Sequence, residues 1–375
     1  MSTTESVRVP FLDLRRRVES IRPSLEARLH RVFDHGRFIL GDAVEELERE
    51  FSRYCGVHHG IGVASGTDAL WLALEAFGVG PGDEVVTVSH TCVPTVVGIL
   101  KSGATPVLVD VDPDTMTMDP ESAAASVTNR TKAILPVHLY GQCADLEPLR
   151  QLADRAGIFL IEDCAQAHGA EYRGTRAGRS GHAGCFSFYP TKNLGGLGDG
   201  GMVVTDDANL ADRLRLLRNY GYTESSRSIM TGYNSRLDEV QAAIILEGLK
   251  RLDGWNERRR EIAGRYASAL ARTDVHPPKE AAYAQHIYHL YVVRTRERER
   301  LRERLKAVGI ETMVHYPVPV HRQQGYAQRC RIGTGGLKHT ERLAEEIVSL
   351  PLFPELREDE IQAVIDGITA SEFGR

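Results

Sequence analysis

Lys192 lies in CFSFYPTKNLGGLGDGGMVVT, between an apolar run of strand type and a glycine-rich turn. Two readings of such a lysine are open. It is an ordinary surface cation, or it is an amine in a shielded site that lowers its pKa, able to form a Schiff base. The turn spells G-x-G-x-x-G at Gly196, Gly198 and Gly201. A dinucleotide loop of that spelling opens a helix. This one runs into MVVT, a strand pattern, so the Rossmann reading is rejected. The glycines are expected instead to let the backbone pass close to a bound planar group.

The segment IFLIEDCAQAHGA supplies carboxylates. A buried strand ends in Glu162 and Asp163, at the C-terminal end where α/β folds bind ligands. The bland reading is a helix cap. The chemical one is that Asp163 holds the proton on a ring nitrogen, since a fixed carboxylate beside a pyridine stabilises its cationic form. A Schiff-base lysine and an acid for a pyridinium nitrogen are the two parts that pyridoxal phosphate (PLP) chemistry requires. Here they stand 192 − 163 = 29 residues apart. In VASGTDAL a strand runs into Ser65, Gly66 and Thr67 and then a helix. Free amides at that start make either a plain cap or an anion site for a phosphate. Ser187, five residues before Lys192, is placed to add a hydroxyl to the same anion.

The elements that must hold these residues are legible from about residue 60 to 205. Short β-branched runs (IGVA, EVVTV, TPVLVDV, KAILPVH, IFLIED, CFSF, GMVVT) alternate with amphipathic segments. Strands of that texture are buried on both faces, which predicts an α/β fold with a mainly parallel sheet between helices. Asp42, with Glu45 three residues on, predicts a capping box, and Gly56 a helix stop. After Asn234 a long helical stretch, broken around Gly254, leads to a smaller unit. There HLYVVRT, a charged helix and IETMVHYP read as strand–helix–strand, followed by helices near 340–349 and 358–369. The expected division is 1–255, a large cofactor domain with an N-terminal arm, and 256–375, a small C-terminal domain.

Composition limits the function classes. The 375 residues carry 46 Lys and Arg against 51 Asp and Glu, a formal charge of −5, which builds no basic field for nucleic acid. Hydrophobic residues make up 42%, too many for a disordered chain. No apolar run is long enough to span a membrane, and the first residues lack a signal-peptide pattern. The six cysteines form no C-x-x-C pair, so buried free thiols are expected, with no structural metal and a cytoplasmic location.

Taken together, SGTDAL, EDCAQAHGA, SFYPTKNLGGLGDGG, GYNSRLDEVQAA and HYPVPVH resemble the DegT/DnrJ/EryC1/StrS family of PLP-dependent sugar aminotransferases, from VPFLDL to SLPLFPEL. The resemblance implies a type I aminotransferase fold and a homodimer with active sites at the subunit interface. By it, Lys192 carries the cofactor and moves the proton, and Asp163 holds the ring nitrogen. Gln166 sits near the cofactor's phenolic oxygen or ring, and Gly66, Thr67 and Ser187 bind the phosphate. Asn234 reaches that phosphate from the partner subunit, Arg236 approaches the substrate, and His321 lies at the substrate mouth. Without the resemblance, GYNSR is a loop entering a helix and His321 a surface histidine.

One residue departs from the pattern. Cys92 stands where relatives often carry an aromatic stacked on the ring, so that His90 or the opposite face would have to hold it. Some members replace the lysine with histidine and run dehydrations; Lys192 argues against that branch. The implied reaction is transfer of an amino group from L-glutamate to a nucleotide-linked keto sugar, in the branch that aminates C3 of dTDP-3-keto-6-deoxyhexoses. The alternatives are a 4-keto nucleotide sugar or a cyclitol ketone as acceptor, a PLP dehydratase, and a non-catalytic PLP-binding regulator.

Overall fold

The computed structural model describes residues 7–223, 225 and 227–370. The order is α1 (Leu14–His35), α2 (Asp42–Cys55), β1 (His59–Val63), α3 (Gly66–Ala76), β2 (Glu84–Val88), α4 (Val93–Lys101), β3 (Thr105–Val109), α5 (Pro120–Ala124), β4 (Thr131–Ile134), α6 (Leu146–Ala156) and β5 (Phe159–Asp163). Then come β6 (Glu171–Tyr172), β7 (Thr175–Arg176), β8 (Ala183–Ser187), β9 (Gly201–Thr205), α7 (Ala208–Leu217), α8 (Glu239–Leu249) and α9 (Leu252–Leu270). The chain ends with β10 (Ala284–Gln285), β11 (Tyr291–Arg294), α10 (Arg298–Ala307), β12 (Arg331–Ile332), α11 (Lys338–Glu346), β13 (Ile347–Leu350) and α12 (Glu358–Thr369).

The main sheet has eight strands in the order β1-β9-β8-β5-β4-β2-β3-β12. Pairing is parallel from β8 to β12, while β9 runs antiparallel to both β8 and β1. Side-chain alternation sends neighbours to opposite faces. Val85 packs into one core with α3, and Val86 into the other with α2 and α8. Leu160 and Ile161 of β5 divide the same way. Both faces are therefore buried, as the unbroken apolar runs predict. No described helix is long and apolar enough to cross a membrane.

A third core joins α9, β11, α10, β13 and α12 around Tyr266, Val293, Leu305, Val348 and Ile361, with Val9 from the N-terminal arm. Three local expectations are corrected here. IETMVHYP, expected as a strand, makes only isolated bridges, Ile310 to Val9 and Met313 to Ser349, and β11 pairs with β13. All four residues of IVSL are buried, so that run fills the sheet position, and the helix expected to 349 ends at Glu346. The long helical stretch breaks between Leu249 and Leu252, whereas Gly254 lies inside α9 with open space beside it.

The capping box at Asp42 is also absent. Asp42 is already helical, and Gly41 is the cap residue. The amides of Gly41, Ala43 and Val44 donate instead to the Glu239 carboxylate at 2.7, 2.9 and 2.9 Å. Negative charge at a helix N-terminus is favourable, so a residue of α8 does the work expected of a neighbour. Gly56 does stop α2, with φ at 78°.

Candidate active site

β5 and β8 are parallel neighbours, with Asp163 opposite Cys185, so Asp163 and Ser187 leave the sheet at the same edge. Two glycines bring the start of α3 to that edge. A Cβ on Gly201 would fall 2.3 Å from the Ser65 carbonyl oxygen, and one on Gly66 would fall 2.5 Å from the Ser187 Cβ. Ser65 caps the helix by accepting from the Asp68 amide at 3.1 Å. The Gly66 and Thr67 amides donate to no acceptor among the described residues. Gly66, Thr67, Ser187, Asp163, Gln166 and Lys192 all line one cavity of about 330 Å³.

Period-two alternation separates the two acids at the end of β5. Glu162 turns away and accepts from the Gly178 and Gly181 amides at 2.9 and 2.6 Å and bonds His138 Nε2 at 2.8 Å. His138 Nδ1 accepts from the Ala144 amide, which leaves the hydrogen on Nε2. Cys164 completes a cluster of metal-ligand type there, but its carboxylate and imidazole already serve protein hydrogen bonds. Asp163 points into the cavity. Its Oδ2 accepts from Thr95 Oγ1 at 2.8 Å and its Oδ1 from the Ala165 amide at 3.1 Å. Burial pushes its pKa up, against the pull of those two donors and of the Lys192 charge.

Lys192 is held by its backbone. Its amide donates to the Tyr189 carbonyl at 2.9 Å, and its carbonyl accepts from Arg17 Nη1 of α1 at 2.8 Å. Its amine has no hydrogen-bond partner among the described residues. Burial lowers its pKa, opposed by the charges of Cys92 and Asp163. Gln166 is fixed at both ends: its Oε1 accepts from the Tyr140 amide at 2.7 Å, and its Nε2 donates to the Tyr316 hydroxyl at 3.2 Å.

The structure does not bring every expected residue to this cavity. Asn234 is exposed and bridges Asn219. Arg236 donates to Asn219 Oδ1 at 3.1 Å with its guanidinium over the Tyr220 ring. His321 bonds Ser89 Oγ at 2.8 Å and Glu341 at 3.2 Å and lines neither cavity beside Lys192. His90 is behind the site on Tyr140, and burial lowers it to about 4. The glycine turn is also corrected. Gly196 and Gly198 pack against Gln241, and Gly201 against Ser65, so their missing side chains admit the chain itself rather than a bound planar group. Sequence reasoning missed Thr95, Tyr189 and Tyr316. Thr95 is in the first turn after β2, at the same strand-end position that marks Asp163; Tyr189 and Tyr316 lie inside motifs already singled out.

An amine and an acid face one cavity, with free helix amides and a serine at one side, groups that could hold an aromatic aldehyde bearing a phosphate. The model of the DegT/DnrJ/EryC1/StrS aminotransferase family matches residues 19–369. The chain belongs to this family. As a DegT/DnrJ/EryC1/StrS protein it is an aminotransferase. It is 47% identical to the dTDP-3-amino-3,4,6-trideoxy-alpha-D-glucose transaminase of Streptomyces venezuelae over 98% of this chain and 97% of that one. The crystal structure of S. venezuelae DesV in complex with a ketimine intermediate superposes with a TM-score of 0.94 at 48% identity, covering 96% of this chain and 98% of that one. The crystal structure of NtdA from Bacillus subtilis with bound cofactor PMP also matches, with a TM-score of 0.88 at 31% identity, over 98% of this chain and 86% of that one.

Proposed function

We propose that the protein transfers the amino group of L-glutamate to C3 of a dTDP-3-keto-6-deoxyhexose, with PLP as cofactor, in amino-sugar biosynthesis. The observation that carries this reading is the single cavity that Lys192 and Asp163 both line. The C3 acceptor is supported by the S. venezuelae transaminase, whose name specifies a dTDP-3-amino sugar.

The residues present fit PLP. The unpartnered amides of Gly66 and Thr67 suit its phosphate, with Ser187 beside them. Asp163, anchored by Thr95, suits the ring nitrogen. The unpartnered amine of Lys192 suits the aldehyde carbon, and Gln166 the ring or its phenolic oxygen. When bound, the cofactor supplies a cationic ring that stabilises negative charge on the carbon carrying the amine. Asp163 keeps the ring proton in place. Lys192 Nζ, whose charged form burial disfavours, takes the proton from the donor Cα and delivers one to the sugar carbon. The two half-reactions use this one base in opposite directions, and 2-oxoglutarate leaves before the sugar binds, which makes the kinetics ping-pong.

The site is proposed to be completed in a homodimer, with Asn234 at the phosphate and Arg236 and His321 toward the sugar. Asn234 is exposed and the apolar side chains of Phe38, Ile39, Leu197 and Ile229 are 41–64% exposed, which supports a partner surface. We also propose the division near residue 255, supported by the separate core around Tyr266. A cytoplasmic location is supported by six free cysteines.

The test is spectroscopic. The purified protein should be yellow, borohydride should fix the cofactor on Lys192, and L-glutamate alone should bleach the band. A protein that takes up no PLP overturns the reading. An unchanged spectrum with glutamate points to another donor or to a dehydratase. A panel of 3-keto and 4-keto nucleotide sugars and cyclitol ketones, with products read by NMR, decides the acceptor.

A further inference from the structure

Lys192 stands in a wall between two cavities. The second, of about 460 Å³, shares Cys92, Gln166, Tyr189 and Lys192 with the first. Its lining includes the apolar Leu12, Leu290, Leu350 and Leu352, one guanidinium, that of Arg259, and one carboxylate, that of Glu311, which already accepts from the Phe11 amide at 3.2 Å and pairs with Arg8 at 3.4 Å.

Arg259 is 1% exposed. Its Nη1 donates to the carbonyls of Tyr288, His289 and Leu352 at 3.1, 3.3 and 2.8 Å. Its Nε is buried with no partner among the described residues. Those carbonyls fix the guanidinium in place but carry no net charge to match it. Nearby, Arg17 Nε is 3.9 Å from Glu355 Oε1. Two guanidiniums and one carboxylate leave one positive charge over. Burial, reinforced by Arg17 and opposed by the Glu355 charge, lowers the Arg259 pKa to about 9.

The amino donor brings the missing group. L-Glutamate carries two carboxylates and must present its α-amine beside Lys192. The cofactor cavity has no cationic side chain among its described lining residues except Lys192. In the second cavity, His289 and His315 are both held neutral by burial, His315 at about 4. Arg259 is thus the one guanidinium there, among the described residues. A buried guanidinium with a free edge pairs with a carboxylate through short, charge-assisted bonds.

We propose that the second cavity is the carboxylate-binding site for the amino donor, with a carboxylate of glutamate or 2-oxoglutarate on the Nε edge of Arg259 and the reacting carbon at the Lys192 wall. The proposal rests on the glutamate-dependent reading above. It makes Arg259 the residue that admits an acidic amino acid and leaves the keto sugar unaffected.

The two half-reactions test it separately. In Arg259→Lys and Arg259→Met, the concentration of glutamate needed for half-maximal bleaching should rise roughly 10- to 100-fold, the loss of a charge-assisted bond. The keto-sugar acceptor should still restore the yellow form of the bleached enzyme at the wild-type concentration, and Arg259→Lys should recover part of the glutamate response. Equal weakening of both half-reactions would mark a purely structural arginine and overturn the proposal, as would an unchanged glutamate response. Should both variants fail to fold, wild-type crystals soaked in glutarate decide: carboxylate density on Arg259 supports the site, and density elsewhere or none overturns it. If wild-type enzyme ignores glutamate yet aminates a sugar from another donor, the donor reading fails first, and glutarate density then reports on Arg259 alone.

Discussion

Gly66 and Ser187 meet across the sheet edge with no room for a methyl group between them: an added Cβ on Gly66 would be 2.5 Å from the Ser187 Cβ and 3.0 Å from its Oγ. That contact sets the first amides of α3 beside the serine hydroxyl. Gly66→Ala must therefore push the helix start away from Ser187. Overpacking of this kind costs about 1–3 kcal/mol. PLP affinity should fall roughly 10- to 100-fold, with excess PLP restoring the absorbance band. Absorbance titration of the apoprotein checks it; unchanged affinity would mean that this edge does not bind the phosphate.

Asp163→Asn separates chemistry from stability. The variant keeps the side chain's shape and an acceptor for one of its two donors. It loses the charge that holds the ring proton, and turnover should fall roughly 100- to 1,000-fold. The sign of the stability effect follows from the raised pKa. Between the ordinary value of 3.8 and the raised one, the folded state holds a proton that the unfolded state has released, so stability falls as pH rises through that window. The asparagine variant should lack that fall. Thermal melts of both apoproteins across acidic pH measure it.

Lys192 titrates in the opposite sense. Its folded pKa lies below the ordinary 10.5, so between the two values the unfolded chain binds the extra proton and the apoprotein gains stability as pH rises. Lys192→Met should lose that alkaline gain. Capture of PLP by wild-type apoprotein needs the neutral amine, so its rate should climb with pH and level off below 10.5. A plateau at or above the usual lysine range would show that the cavity does not desolvate this amine.

How much was legible depends on the reach of each interaction. Asp163, Ser187 and Gly66 could be read because strand ends and helix starts are local patterns, and the sheet brings local patterns to one edge. The small sheet could not be read as easily: β13, which pairs with β11, begins in residues expected as the end of a helix, because burial in the third core, not local texture, decides the pairing. Thr95 was missed because its function is a hydrogen bond to a carboxylate 68 residues away. The glycine turn misled for a related reason. Its glycines make room for Gln241 and Ser65, neighbours that only the folded chain supplies.

Glu239 is the clearest case of a long-range partner replacing a local one. Its buried carboxylate serves three amides at the start of α2, where the sequence pattern pointed to Asp42 and Glu45. Glu239→Ala should destabilise the protein by about 2–4 kcal/mol, since charged caps and their hydrogen bonds are lost together. The cofactor band at saturating PLP should remain. Asp42→Ala should cost far less. Urea unfolding of the two variants compares them, and equal losses would return the capping role to Asp42.

Cys92 gives the last prediction. It lines both cavities, whereas Cys55, Cys143, Cys164 and Cys185 are buried in the cores. Cys330 is partly buried, and desolvation pushes its thiol up to about 11, which keeps little thiolate at neutral pH. Iodoacetamide should therefore label Cys92 first in the apoprotein, with Cys330 slower and the four buried thiols protected until unfolding. On the proposed reading PLP on Lys192 would fill the space that Cys92 faces, so loading the cofactor should slow labelling at Cys92 and leave Cys330 unchanged. Peptide mass spectrometry of both forms reads each site. Labelling of Cys92 at the same rate with and without PLP would mean that the thiol lies beside some other space, and the ring's cover would have to be sought at Tyr316 or Tyr189 instead.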